Sequence, residues 1–248
     1  MSPLLIGFIA FLFVFGAAAA GMFARSRLPD HHLSSDSREA IKLATAIIGT
    51  LSALALGLLI ASAKRSFDEA GAELRTSAAR VVLLDRTMAH YGPETATLRV
   101  ALRKSLETRL NELRDEREGL LHEGLDVEPI QTGLRHLVPA NDGQRWLQSR
   151  ALQLSGQLSE MRWQRPETET GGFPGIFIII LVFWLALLFA SFGLLAPGNA
   201  TVVATLFVSA LSVTAALVLI IDMDHPYLGF IRVSELPLRL ALARLGQP

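Results

Sequence analysis

The side chains able to do chemistry are few in this sequence, and they do not converge. It contains no cysteine, which removes disulfides, thiolate zinc or iron–sulfur sites and a cysteine nucleophile. His31 and His32, beside Asp30 and near Asp36, have the residue types of a metal site. Adjacent histidines do not share a helix face and no four-ligand set accompanies them, so no metal ligand is assigned. His90, His122, His136 and His225 are scattered and read as surface or cap residues. A phosphate-cradling glycine loop, an HExxH helix and a nucleophile elbow are all missing, and spacing marks out no pair of carboxylates. The reading is a protein that is not an enzyme, with no catalytic residue and no cofactor.

Stripes of small and hydroxyl residues inside apolar stretches suggest a passage rather than a reaction. Thr45, Gly49, Ser52, Leu56, Leu59 and Ala63 fall in a narrow sector of a helix turning 100° per residue. Thr201, Thr205, Ser209, Ser212 and Ala216 do the same in a later stretch. Small stripes let membrane helices pack closely, and that reading is taken for the later one. For the earlier one, close packing competes with pore lining. Rings of Leu56 or Leu59 from several copies would form an apolar neck that gates by dewetting, with Lys64, Arg65, Asp68 and Glu69 as the charges of its inner mouth. One chain cannot enclose such a pore, so symmetric self-assembly is required, with inorganic ions and the lipid bilayer as the other partners.

The elements that position these residues follow from how charge is distributed. The 248 residues carry 23 Lys plus Arg and 23 Asp plus Glu, and no segment concentrates basic residues, which argues against nucleic acid. Between Lys64 and Thr170 lie 16 basic and 17 acidic residues, while four long stretches elsewhere hold almost none. An apolar run of about 20 residues crosses a hydrocarbon core of about 30 Å as a helix. The four candidates are Pro3 to Ala24, Ile41 to Ala63, Phe173 to Leu195 and Ala200 to Ile221. The first is read as a retained span rather than a signal peptide, because no Lys or Arg precedes it. Ala196-Pro197-Gly198-Asn199 allows only a tight hairpin between the last two. Basic residues near span ends place both termini and the central segment on the cytoplasmic side. Apart from Lys42 at the outer rim of the second, no ionisable residue lies inside the spans, which disfavours a proton relay or an ion-coupled transporter.

The central segment, 64–170, reads as a helical bundle inserted between the second and third spans. Leu74, Ala78, Val81, Leu84, Met88 and Tyr91 repeat at helical spacing directly after the second span, so that helix is predicted to run on unbroken until Gly92 and Pro93 stop it. Leu98, Leu102, Leu106, Leu110 and Leu113 mark the next helix, Ile130, Leu134 and Leu137 a short one, and Leu147, Ala151, Leu154, Leu158 and Met161 a last one. Its balanced charges read as a solvated face. Asp222 and Asp224 close the fourth span, where the helix macrodipole disfavours anions, so a cation such as Arg232, Arg65 or Lys64 is expected to compensate, with one aspartate capping the turn at His225-Pro226.

Several segments together carry a family likeness. They are Phe183-Trp184, the run Ser191 to Asn199 (SFGLLAPGN), and the tail Asp222 to Ser234 (DMDHPYLGFIRVS), in which Asp222, Asp224, Pro226 and Gly229 stand out. Leu84-Asp85-Arg86 and Tyr91-Gly92-Pro93-Glu94 add to them. The sequence resembles the bacterial bestrophin-like family over roughly residues 40 to 245. That resemblance implies kinship with homopentameric ion channels whose second membrane helix lines a hydrophobic neck and continues into a cytoplasmic bundle. Those channels conduct anions in animals, and bacterial ones can favour cations. The calcium clasp of bestrophins is an acidic cluster after the fourth span; only Asp222, Asp224 and Glu235 stand here, so calcium gating is not carried over.

The expectation is therefore an all-α, four-span integral membrane protein of the bacterial inner membrane, divided at 1–63, 64–170, 171–222 and 223–248. It is expected to form a pentameric channel, conducting anions as the first choice, with its neck at the second span. The competing reading is a non-conducting scaffold whose cytoplasmic bundle binds a partner.

Overall fold

A computed structural model describes residues 3–29, 34–114, 125–163, 175–224 and 230–247, and these form helices and connecting turns with no strand. In chain order the α-helices are α1 (Pro3–Arg27), α2 (Ser35–Tyr91), α3 (Ala96–Arg114), α4 (Glu128–His136), α5 (Asp142–Trp163), α6 (Gly175–Leu195), α7 (Ala200–Met223) and α8 (Leu236–Arg244). Four of them, α1, α2, α6 and α7, are long and apolar enough to cross a membrane. The chain divides into two compact units. Unit 1 holds residues 1–67 and 170–231, unit 2 residues 68–169 and 232–248.

Unit 1 is built on close helix crossings. A methyl group added at Gly21 of α1 would run into the carbonyl of Ala190, and one added at Gly193 of α6 into the carbonyl of Ala18. The two glycines thus bring the α1 and α6 backbones together reciprocally, the way small residues replace a hydrophobic driving force inside lipid. Further along α1, Phe11 and Phe15 each meet Phe207 of α7 edge-on at 5.4 Å between ring centroids. The turn between α6 and α7 is closed at both sides. Asn199 caps α7 by accepting the Val202 N–H at 2.9 Å. Arg25, at the end of α1, donates to the carbonyls of Leu195 and Ala196, both at 2.8 Å, where the C-terminus of α6 favours a cation.

Unit 2 contains the helical bundle. Helix α2, 57 residues long, enters it at Asp68. It ends where Gly92 takes φ +139°, a region open to glycine, and Pro93 follows. Most of the apolar rows read from spacing are buried: Leu74, Ala78, Val81, Leu84, Met88 and Tyr91 on α2, Leu102, Leu106, Leu110 and Leu113 on α3, and Ala151, Leu154 and Leu158 on α5, while Leu98, Leu137, Leu147 and Met161 of the same rows are half-buried. Ile130 and Leu134 bury the short α4. Helix α8 adds Leu238, Ala241 and Leu245 to this core. It packs on α3 and was not expected from the sequence, which left 223–248 as a tail.

Candidate functional site

The stripe Thr45, Gly49, Ser52, Leu56, Leu59, Ala63 advances by alternating steps of four and three, the spacing of a heptad seam between helices crossing at a shallow angle. In the structure it is the face by which α2 joins its own unit. Thr45, Ser52, Leu59 and Ala63 are buried, and Gly49 and Leu56 are half-buried. Leu59 and Ala63 enter one core with Leu181, Leu185 and Phe189 of α6 and Leu217 and Ile220 of α7. A methyl at Gly49 would come within 3.1 Å of Leu188 on α6. The Thr45 hydroxyl turns back onto the Ile41 carbonyl at 2.7 Å, and the buried Ser52 hydroxyl has no hydrogen-bond partner among the described residues.

The opposite face of the same helix is bare. Ile47, Leu54 and Leu58 are 64%, 67% and 72% exposed. Together with Arg65 they span about 40° of the helix at 100° per residue, roughly diametrical to the seam. Lys64 and Arg65 at the end of this stretch are exposed, as are Asp68 and Glu69 where unit 2 begins.

The buried Asp222 in the last turn of α7 accepts two backbone hydrogen bonds. Its Oδ1 takes the Phe230 N–H at 2.9 Å and its Oδ2 the Ile231 N–H at 2.8 Å. At Asp222 these two backbone amides offset both the burial of the carboxylate and the unfavourable end of the helix dipole. Asp224 is the C-cap residue of α7, its own N–H donating to Ile220 and Asp222 carbonyls. Pro226 and Gly229, like His225, lie outside the described residues, as do His31 and His32.

A family model for the Bestrophin-like domain matches residues 12–238. The chain belongs to the bestrophin-like family. The match runs from within α1 into α8 and so contains α2, the bare face and the Asp222 turn. No curated protein and no solved structure matches the chain. Family membership and the four apolar helices together make this a multi-pass membrane protein, in contact with a lipid bilayer.

Within this bestrophin-like domain, sequence reasoning singled out the Leu84-Asp85-Arg86 segment without seeing its partner. Asp85, on α2 and 1% exposed, is held by Arg99 of α3. Asp85 Oδ2 also receives the Gly246 N–H at 3.3 Å, and Arg99 Nη2 donates to the Gln247 carbonyl at 3.1 Å. The hydrogen bond to Asp85 raises the Arg99 pKa above its ordinary value, against the opposing effect of burial. Nothing in the sequence marks Arg99, fourteen residues away, above the other arginines. Among the described residues no three His, Asp or Glu side chains gather as metal ligands.

Proposed function

We propose that this bestrophin-like protein is a pentameric ion channel of a bacterial inner membrane, with both termini and unit 2 on the cytoplasmic side and a pore lined by α2. The observation that carries this reading is the one-sided packing of α2. Its own subunit covers only the narrow seam from Thr45 to Ala63, and the apolar face of Ile47, Leu54 and Leu58 is left for something outside the chain. A side chain sealed inside its own subunit cannot also line a lumen. The lining is therefore assigned to Ile47, Leu54 and Leu58, with Leu56 and Leu59 holding the helix in place behind them. Rings of Leu54 and Leu58 from symmetric copies would make a neck that excludes water until it widens.

Arg65 lies on the same angular position one step past the neck, and with Lys64 it is the first charge met there, ahead of Asp68 and Glu69. A cationic ring at the mouth concentrates anions, so chloride is the first ion to test.

Purified oligomers reconstituted in planar bilayers test the proposal. The expected result is a chloride current enlarged by Leu54→Ala. A protein that passes neither chloride nor sodium nor potassium, or one that is a monomer or a dimer without an axial cavity, would overturn the channel and leave the scaffold reading in its place.

A further inference from the structure

Packing within the subunit does not explain what Asp222 holds. Its carboxylate fixes the backbone of Phe230 and Ile231 beside the last turn of α7, a helix long and apolar enough to span a membrane. Phe230 is 74% exposed and Ile231 41%. Two consecutive apolar side chains are thus pinned outward at the level where a membrane helix ends. Kept in water, each would forfeit the free energy that burial of its apolar surface supplies. The bare apolar stripe of α7 leads to the same place, since Leu211, Ala215 and Leu219 are exposed at successive helical turns up to that end. An aromatic residue and an aliphatic one at the end of a span match the chemistry of the membrane–water boundary, where rings sit among headgroups.

We infer that Phe230 and Ile231 form a lipid-interface anchor that dips into the headgroup–acyl boundary beside the end of α7, with Asp222 as its positioning residue. The anchor continues the bare apolar stripe of α7 beyond the helix. It sets the depth at which the chain leaves the membrane, and it does not depend on whether the protein conducts.

The absence of native cysteine makes the test direct. Phe230→Cys in the full chain is labelled with an environment-sensitive nitrobenzoxadiazole dye and reconstituted into vesicles of phosphatidylcholine and phosphatidylglycerol. Leu211→Cys, exposed within the α7 span, serves as a membrane-depth reference and Val100→Cys, exposed on α3, as an aqueous one. The expected result is a blue-shifted emission at position 230 that nitroxide-bearing lipid quenches and iodide does not. In an Asp222→Asn background, which removes one of the two acceptor oxygens, the same label should redden and become open to iodide. Iodide quenching at position 230 equal to that at position 100 overturns the anchor. So does a label shielded from both quenchers until the oligomer is dissociated, which would make the surface a contact between copies. Should Asp222→Asn fail to fold, judged by gel filtration and circular dichroism, the label at position 230 in the otherwise native chain still decides.

Discussion

Asp85 and Arg99 form a bidentate ion pair, with Arg99 Nε 2.8 Å from Oδ1 and Nη2 3.0 Å from Oδ2, joining α2 to α3 inside unit 2. Arg99 keeps 21% of its side chain in solvent whereas Asp85 keeps 1%. The two partners are therefore not equivalent. Removing Arg99 strands a buried carboxylate, and Arg99→Ala should cost about 3 kcal/mol or more. Replacing both partners by apolar residues of similar size should recover most of that loss. Denaturant unfolding of the full chain in detergent, followed by circular dichroism, reads both outcomes. If Arg99→Ala is neutral, the pair contributes nothing to holding α3 on α2.

Tyr91 closes the same stretch of α2, and burial followed by the nearby Glu94 raises its pKa above the usual tyrosine value. A group whose folded pKa is raised contributes stability that is complete below its unfolded pKa, about 10, and is lost as pH climbs through the folded value. Unit 2 should accordingly weaken above about pH 10, and Tyr91→Phe should remove part of that alkaline loss. Phenolate absorbance tracked together with helicity tests this. A Tyr91 that ionises at the ordinary value with the helices intact would contradict it.

The crossing of α1 and α6 separates glycines that are required from glycines that are not. Gly193→Ala drives a methyl into the Ala18 carbonyl, a backbone atom that cannot yield cheaply. Overpacking of this kind costs about 1–3 kcal/mol. Gly16, also on α1, has no atom within 4 Å of an added methyl. Gly16→Ala should therefore be neutral or stabilise by up to about 1 kcal/mol through helix propensity. Thermal unfolding of both variants in one detergent checks the contrast.

Arg25 neutralises the end of α6 through two carbonyls, so Arg25→Ala should loosen the α6–α7 turn by about 1–2 kcal/mol. Faster amide hydrogen exchange at 195–200, with the middle of α6 unchanged, is the expected signature.

The legible part of the fold is the part in which water stands on one side of a helix. In unit 2, Leu74 to Tyr91 and Leu102 to Leu113 alternate with charges at a period of 3.6, and the buried face follows from the spacing. Gly92-Pro93 stops α2 for reasons local to two residues. In the membrane this contrast vanishes, because Leu59 in the core and Leu58 on the bare face are equally apolar. Spacing could collect Thr45 to Ala63 onto one stripe but could not say whether that stripe faced a helix, lipid or a lumen. The partners of Asp222 were hidden for a different reason. They are backbone amides, which every residue carries, eight and nine positions away. Helix α8 was overlooked although Pro237 near its start, Gly246 past its end and Leu238, Ala241 and Leu245 between them are helix signals.

The two faces of α2 lead to the sharpest expectation. Leu59, 7% exposed, is packed by α6 and α7. Leu59→Ala leaves a cavity there and should destabilise the protein by about 2–5 kcal/mol. Any change in current would then accompany a loss of folded protein. Leu54 is 67% exposed and lies outside the buried core of its subunit. Leu54→Ala should leave the stability of the subunit within about 0.5 kcal/mol, while trimming a ring of apolar side chains from the neck and so lowering its dewetting barrier. Single-channel recording of the two variants beside thermal unfolding separates the readings. If Leu59→Ala enlarges the current without loss of stability and Leu54→Ala does nothing, the seam faces the lumen and the assignment of faces is reversed. If neither alters a current that the native protein carries, the pore does not run along α2.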